Sequence, residues 1–138
     1  MKKVFVDTHI LVDLIADRHP FSKYAIELFR YAEENKVQLY ASSHSIATTH
    51  YILRKYLDEK SLREVLLNLL DLIQVISIDQ DTLSRGLRSA HPDFEDALQI
   101  FCATSVKGMN FIVTRNLKDF RDSPIRAMAP EEALTALP

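Results

Sequence analysis

Short apolar runs rich in β-branched and aromatic residues recur along the chain, and stretches with helical spacing separate most of them. "KVFV" at 3–6, "KVQLYAS" at 36–42, "QVISI" at 74–78 and "NFIVT" at 110–114 are the clear cases, and "IRAM" at 125–128 is a shorter one for a sheet edge. Runs of this kind predict strands. Strands that alternate with helices and read apolar on both faces predict a parallel sheet covered on both sides. The expected class is α/β, a three-layer α/β/α sandwich around a central, mostly parallel sheet of four to five strands.

The intervening segments carry their own signals. Thr8 is placed to cap a first helix through about Ala16. Pro20 suits the first turn of a second, whose inner face should hold Phe21, Tyr24, Ala25, Leu28, Phe29 and Ala32. Ser42 or Ser43 can cap a third helix running to about Tyr56. "SLREVLLNLLDLI" predicts a fourth, with Leu62, Val65, Leu66, Leu69, Leu70 and Ile73 turned inward. Asp79 or Asp81 can cap a fifth helix that reaches about Arg88. Pro92 opens a sixth that extends to about Lys107, and "PEEALTAL" closes the chain as a seventh.

A length of 138 residues is one domain's worth, here 1–138, and is long enough to bury a core. Only 2 glycines and 5 prolines leave little room for linkers. A net charge of -2 counts against a module that grips nucleic acid by charge alone. The single cysteine, Cys102, excludes an internal disulfide framework, fits a reducing compartment and sits in an apolar stretch that predicts a buried thiol. Asp7, Asp13 and Asp17 interrupt the apolar start, so it does not read as a signal peptide. No stretch has the length of a membrane span, and the expected location is cytoplasmic.

Open α/β sheets build their sites at the carboxyl ends of the strands. Asp7 follows the first strand directly. Asn116 and Asp119 follow the fourth, and Asp96 opens the helix that leads into it. If the first and fourth strands are neighbours, these groups converge. Gathered carboxylates repel unless a cation is present, and oxygen donors with few histidines or thiols suit Mg²⁺ or Mn²⁺. Each residue also has a structural reading: Asp7 as a helix cap, Glu95 and Asp96 as partners of a helix dipole, Asp119 as a turn cap. His9 stands beside Asp7 and can face the same cleft. Arg54, Lys55, Arg115, Lys118 and Arg121 can hold phosphates or be solvated faces.

"VFVDTHILVDL", "FEDALQIFCA" and "FIVTRNLKDF" together resemble the PIN domain family, in order and over nearly the whole chain. The resemblance implies a metal-dependent ribonuclease, with Mg²⁺ or Mn²⁺ as cofactor and RNA as substrate. It also implies likeness to the small toxin halves of bacterial toxin–antitoxin pairs, hence an antitoxin partner and a homodimer. The supply of apolar residues in "HYILRKYL" and "SLREVLLNLLDLI" argues for the dimer as well. Carried over by position, Asp7, Asp96 and Asp119 are the metal ligands, and with Asn116 the catalytic set. His9, Thr48, Arg115 and Lys118 are the substrate-binding candidates.

Two departures stand out. His9 replaces the small polar residue common after the first acid. The third helix usually presents a glutamate, but here the position falls at Thr48, and no carboxylate lies anywhere from 41 to 57. Glu95 is a possible substitute. The competing reading is a catalytically lapsed PIN-like domain that binds RNA or a protein. A haloacid-type phosphatase would need a second acid where His9 stands, and a response receiver another acid pair beside Asp7.

Overall fold

The computed structural model describes residues 1–137. Five strands, β1 (Lys2–Val6), β2 (Val37–Ser42), β3 (Ile73–Ile76), β4 (Phe111–Val113) and β5 (Ala127–Met128), form one sheet of order β3-β2-β1-β4-β5. Every pairing is parallel, with Val4 opposite Leu39 on one side and Phe111 on the other. The first and fourth strands are therefore neighbours. The helices are α1 (Thr8–Ala16), α2 (Ser22–Glu33), α3 (Ser43–Leu53), α4 (Glu59–Leu70), α5 (Gln80–Arg88), α6 (Phe94–Thr104) and α7 (Pro130–Ala136). A 3₁₀ turn spans Leu117–Phe120. No helix among the described residues is long and apolar enough to cross a membrane.

Alternation along β1 divides the core. Val4 and Val6 pack on one face with Leu11, Leu28, Leu53 and Leu66 from α1 to α4. Phe5 points to the other face, among Ile100, Cys102 and Ala103 of α6 and Phe120 of the 3₁₀ turn. These are the outer layers of an α/β/α sandwich. Cys102 is buried, and desolvation pushes its thiol up to about 12, far from reactive thiolate.

Several element ends differ from the sequence reading, each for a local reason. Asp7, not Thr8, caps α1, because its carboxylate accepts from the Thr8 N–H. Helix α4 begins earlier than expected, since Asp58 accepts from the Ser61 N–H. Ile73 belongs to β3, and Leu70 is exposed. β3 is an edge strand, and Gln74 and Val75 face solvent. Asp93 caps α6 and postpones its start past Pro92. Helix α3 stops at Leu53, short of Tyr56.

Helices α5 and α6 approach closely at Gly86. A methyl group there would meet Leu98 Cδ2 at 3.0 Å and Phe94 Cε1 at 3.2 Å. Only a residue without a side chain leaves Leu98 and Phe94 undisturbed at this crossing.

Phe21 is exposed rather than part of the inner face of α2, and its ring supports a cation. The Arg115 guanidinium lies 3.9 Å from its centroid. Arg115 also meets Asp13 of α1, whose side chain is only 1% exposed. Nη2 donates to Oδ1 at 3.1 Å, while Nε sits 2.7 Å from Oδ2 but off the line of a proper hydrogen bond. The pair fastens α1 to the exit of β4. Removing one partner strands the other charge. We expect Arg115→Met to cost about 3–5 kcal/mol in urea unfolding. Asp13→Leu combined with Arg115→Met should recover most of that loss. Equal destabilisation by the single and double variants would contradict the ion-pair account.

Candidate active site

The carboxyl end of β1 delivers Asp7 to the sheet rim, where its N–H donates to the Val113 carbonyl at 3.0 Å. The side chain is buried, and a buried carboxylate needs hydrogen bonds or a counter-charge. Oδ1 accepts from the Thr8 N–H at 2.8 Å and from Gln99 Nε2 at 3.2 Å. Oδ2 accepts from the Thr114 hydroxyl at 2.8 Å. Three elements thus hold one carboxylate: α1, α6 and the end of β4.

Gln99 extends the network. Its Nε2 donates to Ser45 Oγ at 2.7 Å, and Ser42 Oγ donates to its Oε1 at 2.6 Å. The Ser45 and Thr8 hydroxyls stand 2.8 Å apart. This seam of buried polar groups ties α6 to β2 and α3 beneath the site. The sequence reading named none of Gln99, Ser42, Ser45 and Thr114 as site residues. Their signal was present: Gln99 is a polar residue three positions after Asp96 on an otherwise apolar helix.

Above the seam lies a cleft of about 180 Å³, lined by Asp7, Thr8, His9, His44, Thr48, Ile52, Glu95, Asp96, Gln99 and Asn116. Asp7, Asp96 and Asn116 meet there, with His9 and Thr48 on its walls. Asp119 does not line it. The Asp119 backbone carbonyl accepts from His91 Nε2 at 2.6 Å, and its charge still reaches Asp96. Arg115 meets Asp13 and Phe21 and does not line the cleft. Lys118 is exposed on the 3₁₀ turn and also lies outside the lining. His44 was not anticipated. Its Nε2 sits 3.3 Å from both Glu95 Oε2 and Thr48 Oγ1, bridging α6 and α3 across the cleft mouth. The Nδ1 of His9 is buried without a partner.

Asp96 records the electrostatics. Burial pushes its carboxyl up to about 7, and the charges of Asp93, Asp7 and Asp119 push in the same direction, against a smaller opposing pull from His91. Clustered acids that disfavour ionisation are the setting a cation relieves. Among the described residues, no three His, Cys, Asp or Glu side chains form a ready cage for a metal ion. Mg²⁺ does not require one, because it keeps several waters and is commonly held by one or two carboxylates. The oxygen donors of Asp7, Asp96 and Asn116 fit a hydrated ion of that kind.

The family described as PIN domain matches residues 3–118. Ribonuclease VapC1 of Aquifex aeolicus (strain VF5) is 28% identical over 136 residues, covering 95% of this chain and 92% of that protein. The fold is similar to that of VapBC2 from Rickettsia felis bound to a DNA fragment from the promoter. That likeness has a TM-score of 0.67 at 18% identity, over 92% of this chain and 98% of that one. It is also similar to a toxin–antitoxin complex from Klebsiella pneumoniae, with a TM-score of 0.63 at 26% identity over 92% and 97% of the two chains. A sheet of order β3-β2-β1-β4-β5, an acid at the end of its central strand, and a family match over most of the length lead to one conclusion: the chain belongs to the PIN domain family.

Proposed function

We propose that this protein is a divalent-metal-dependent ribonuclease of the toxin type, acting in the cytoplasm and restrained by an antitoxin partner. The observation that carries the reading is the meeting of Asp7 and Asp96 in one cleft, with Asp96 disfavoured as an anion by burial first and by its acidic neighbours second. The likeness to Ribonuclease VapC1 and to a toxin–antitoxin complex supports the substrate and the partner. Exposed Leu67 and Leu70 on α4 support the homodimer.

Asp7, Asp96 and the Asn116 amide oxygen would hold Mg²⁺ or Mn²⁺. Once bound, the ion supplies an activated water and neutralises charge that builds on the phosphate. The chain does the rest. Thr8, Thr114 and Gln99 fix the direction of the Asp7 carboxylate, so no reorganisation is needed when charge develops. His44, whose Nε2 meets Glu95 and Thr48, stands at the cleft mouth where a phosphate oxygen would pass. Asp119 adds negative charge near the site without lining it.

A second reading rests on Thr48, which lines the cleft at the position where a glutamate was expected. Without that charge the domain would bind RNA or a protein and leave it intact. Cleavage of RNA against Mn²⁺ concentration, with EDTA as control, separates the two. Asp7→Asn should lower cleavage by about tenfold or more, since each ~1.4 kcal/mol of lost stabilisation is a factor of ten. Thr48→Glu should raise both metal affinity and rate by adding a hard oxygen donor. A wild type that is inactive while Thr48→Glu cleaves identifies a lapsed enzyme. Equal inactivity of all three alongside retained RNA binding favours the binding module.

Metal occupancy has a thermal signature independent of cleavage. In metal-free protein the folded state holds the Asp96 proton up to about 7, whereas the unfolded carboxyl releases it near 3.9. The raised value favours folding at low pH, and that contribution fades as pH rises through this window. Metal-free protein should therefore lose thermal stability between about pH 4 and 7, and Asp96→Asn should flatten that loss. Above the window, Mg²⁺ or Mn²⁺ should raise the melting temperature of wild type but not of Asp96→Asn. A metal-induced rise of equal size in both proteins would place the ion elsewhere.

A further inference from the structure

The outward side of α3 continues from the cleft as a strip unrelated to the core. Ser45, Thr49 and Leu53 are the buried positions of this helix. His44 and Thr48 line the cleft, and Tyr51 follows at the next helical step on the same face. Tyr51 is 60% exposed. The guanidinium of Arg54 lies 4.1 Å from its ring centroid, covering one face. Lys55 comes next, exposed, in the turn that ends the helix. Neither Arg54 nor Lys55 pairs with an acid among the described residues, and no carboxylate occurs from 41 to 57.

We propose that this strip binds the single strand of RNA that flanks the scissile phosphate, with Tyr51 as a base-stacking platform and Arg54 and Lys55 as phosphate contacts. The inference rests on the ribonuclease reading and assigns part of its substrate path. An exposed aromatic ring with an unpaired cation on its face is the pairing that non-sequence-specific single-strand binding uses, and Glu59, the acid beside neighbouring His50, is taken up by His50 and Arg63. It explains how an acidic protein can hold RNA: the positive charge is local to one helix end, beside the cleft. A protein partner fits this strip less well, because the neighbouring apolar side chains turn elsewhere. Tyr56 and Leu57 line a separate groove with Ile15, Ala16 and Leu53, against α1, and Tyr51 takes no part in it.

The test measures binding of a fluorescein-labelled, unstructured oligoribonucleotide by anisotropy in EDTA, and in parallel KM and kcat for its cleavage with Mn²⁺. Tyr51→Ala should weaken binding roughly tenfold and raise KM, while Tyr51→Phe should bind like wild type. Arg54→Gln should reduce the slope of log affinity against log salt by about 0.7. Both residues are exposed, so unchanged thermal unfolding should accompany these effects. If wild type binds and cleaves but Tyr51→Ala and Arg54→Gln leave affinity, KM and salt slope unchanged, the strip is not the RNA path and the nuclease reading survives. If wild type binds without cleaving and Tyr51→Ala weakens it, the strip stands and the nuclease reading falls. If Tyr51→Ala changes only the mass in light scattering, a second copy covers this face and the proposal is overturned. No binding and no cleavage by wild type would overturn both.

Discussion

A carboxylate buried at the end of the central strand is the constraint around which this molecule is arranged. Asp7 is 4% exposed, and leaving it without partners would cost several kcal/mol. The surrounding structure supplies them from three directions: the first N–H of α1, the hydroxyl that follows β4, and a glutamine amide from α6. None of these can move far without exposing the charge to an apolar interior. The parallel pairing of β1 with β4 brings Thr114 within reach, and the crossover through α6 brings Gln99. The requirement to satisfy one acid thus locks together the elements that also create the cleft.

Charge is handled differently a short distance away. Asp13, also buried, is met by a full cation, and Arg115 is shared between that acid and the face of Phe21. Neutral donors leave Asp7 negative toward the cleft. A guanidinium cancels Asp13 and keeps it out of the chemistry. Asp96 lies between these cases, half-buried, with acids around it and His91 pulling weakly the other way. Burial first, and the surrounding acids second, give it its preference for the proton before any cation arrives.

The sequence made the layers and the position of Asp7 and Asp96 legible, because short apolar runs and an acid just beyond them depend on local pattern. The adjacency of β1 and β4 was only conditional, since strand order is set by crossovers rather than by any one segment. An arginine after a strand reads the same whether it meets a phosphate or a buried aspartate, so the Asp13 contact of Arg115 was not legible. Only the fold shows Asp13 waiting on α1. Phe21 was placed inside for its apolarity, yet its ring serves as a platform. The Ser42, Ser45 and Gln99 seam was missed because isolated hydroxyls and amides are common on surfaces. Their meaning appears once three elements bring them together. Helix ends shifted by a few residues wherever an aspartate, at 58 or 93, offered a better cap than the residue first favoured.

The crossing at Gly86 has a consequence for how the cleft can change. Phe94 and Leu98, the side chains that a methyl group at 86 would touch, flank Asp96 on the opening turns of α6. The depth to which α5 nests against α6 is therefore also the setting of the second acid relative to the first. Gln99 fastens the same helix from the other side, so α6 is held between a contact without a side chain and a hydrogen-bonded amide. The distance across which the two acids face each other is written partly in a glycine outside the cleft. A lineage could retune that spacing by substitutions that never alter a polar atom of the site.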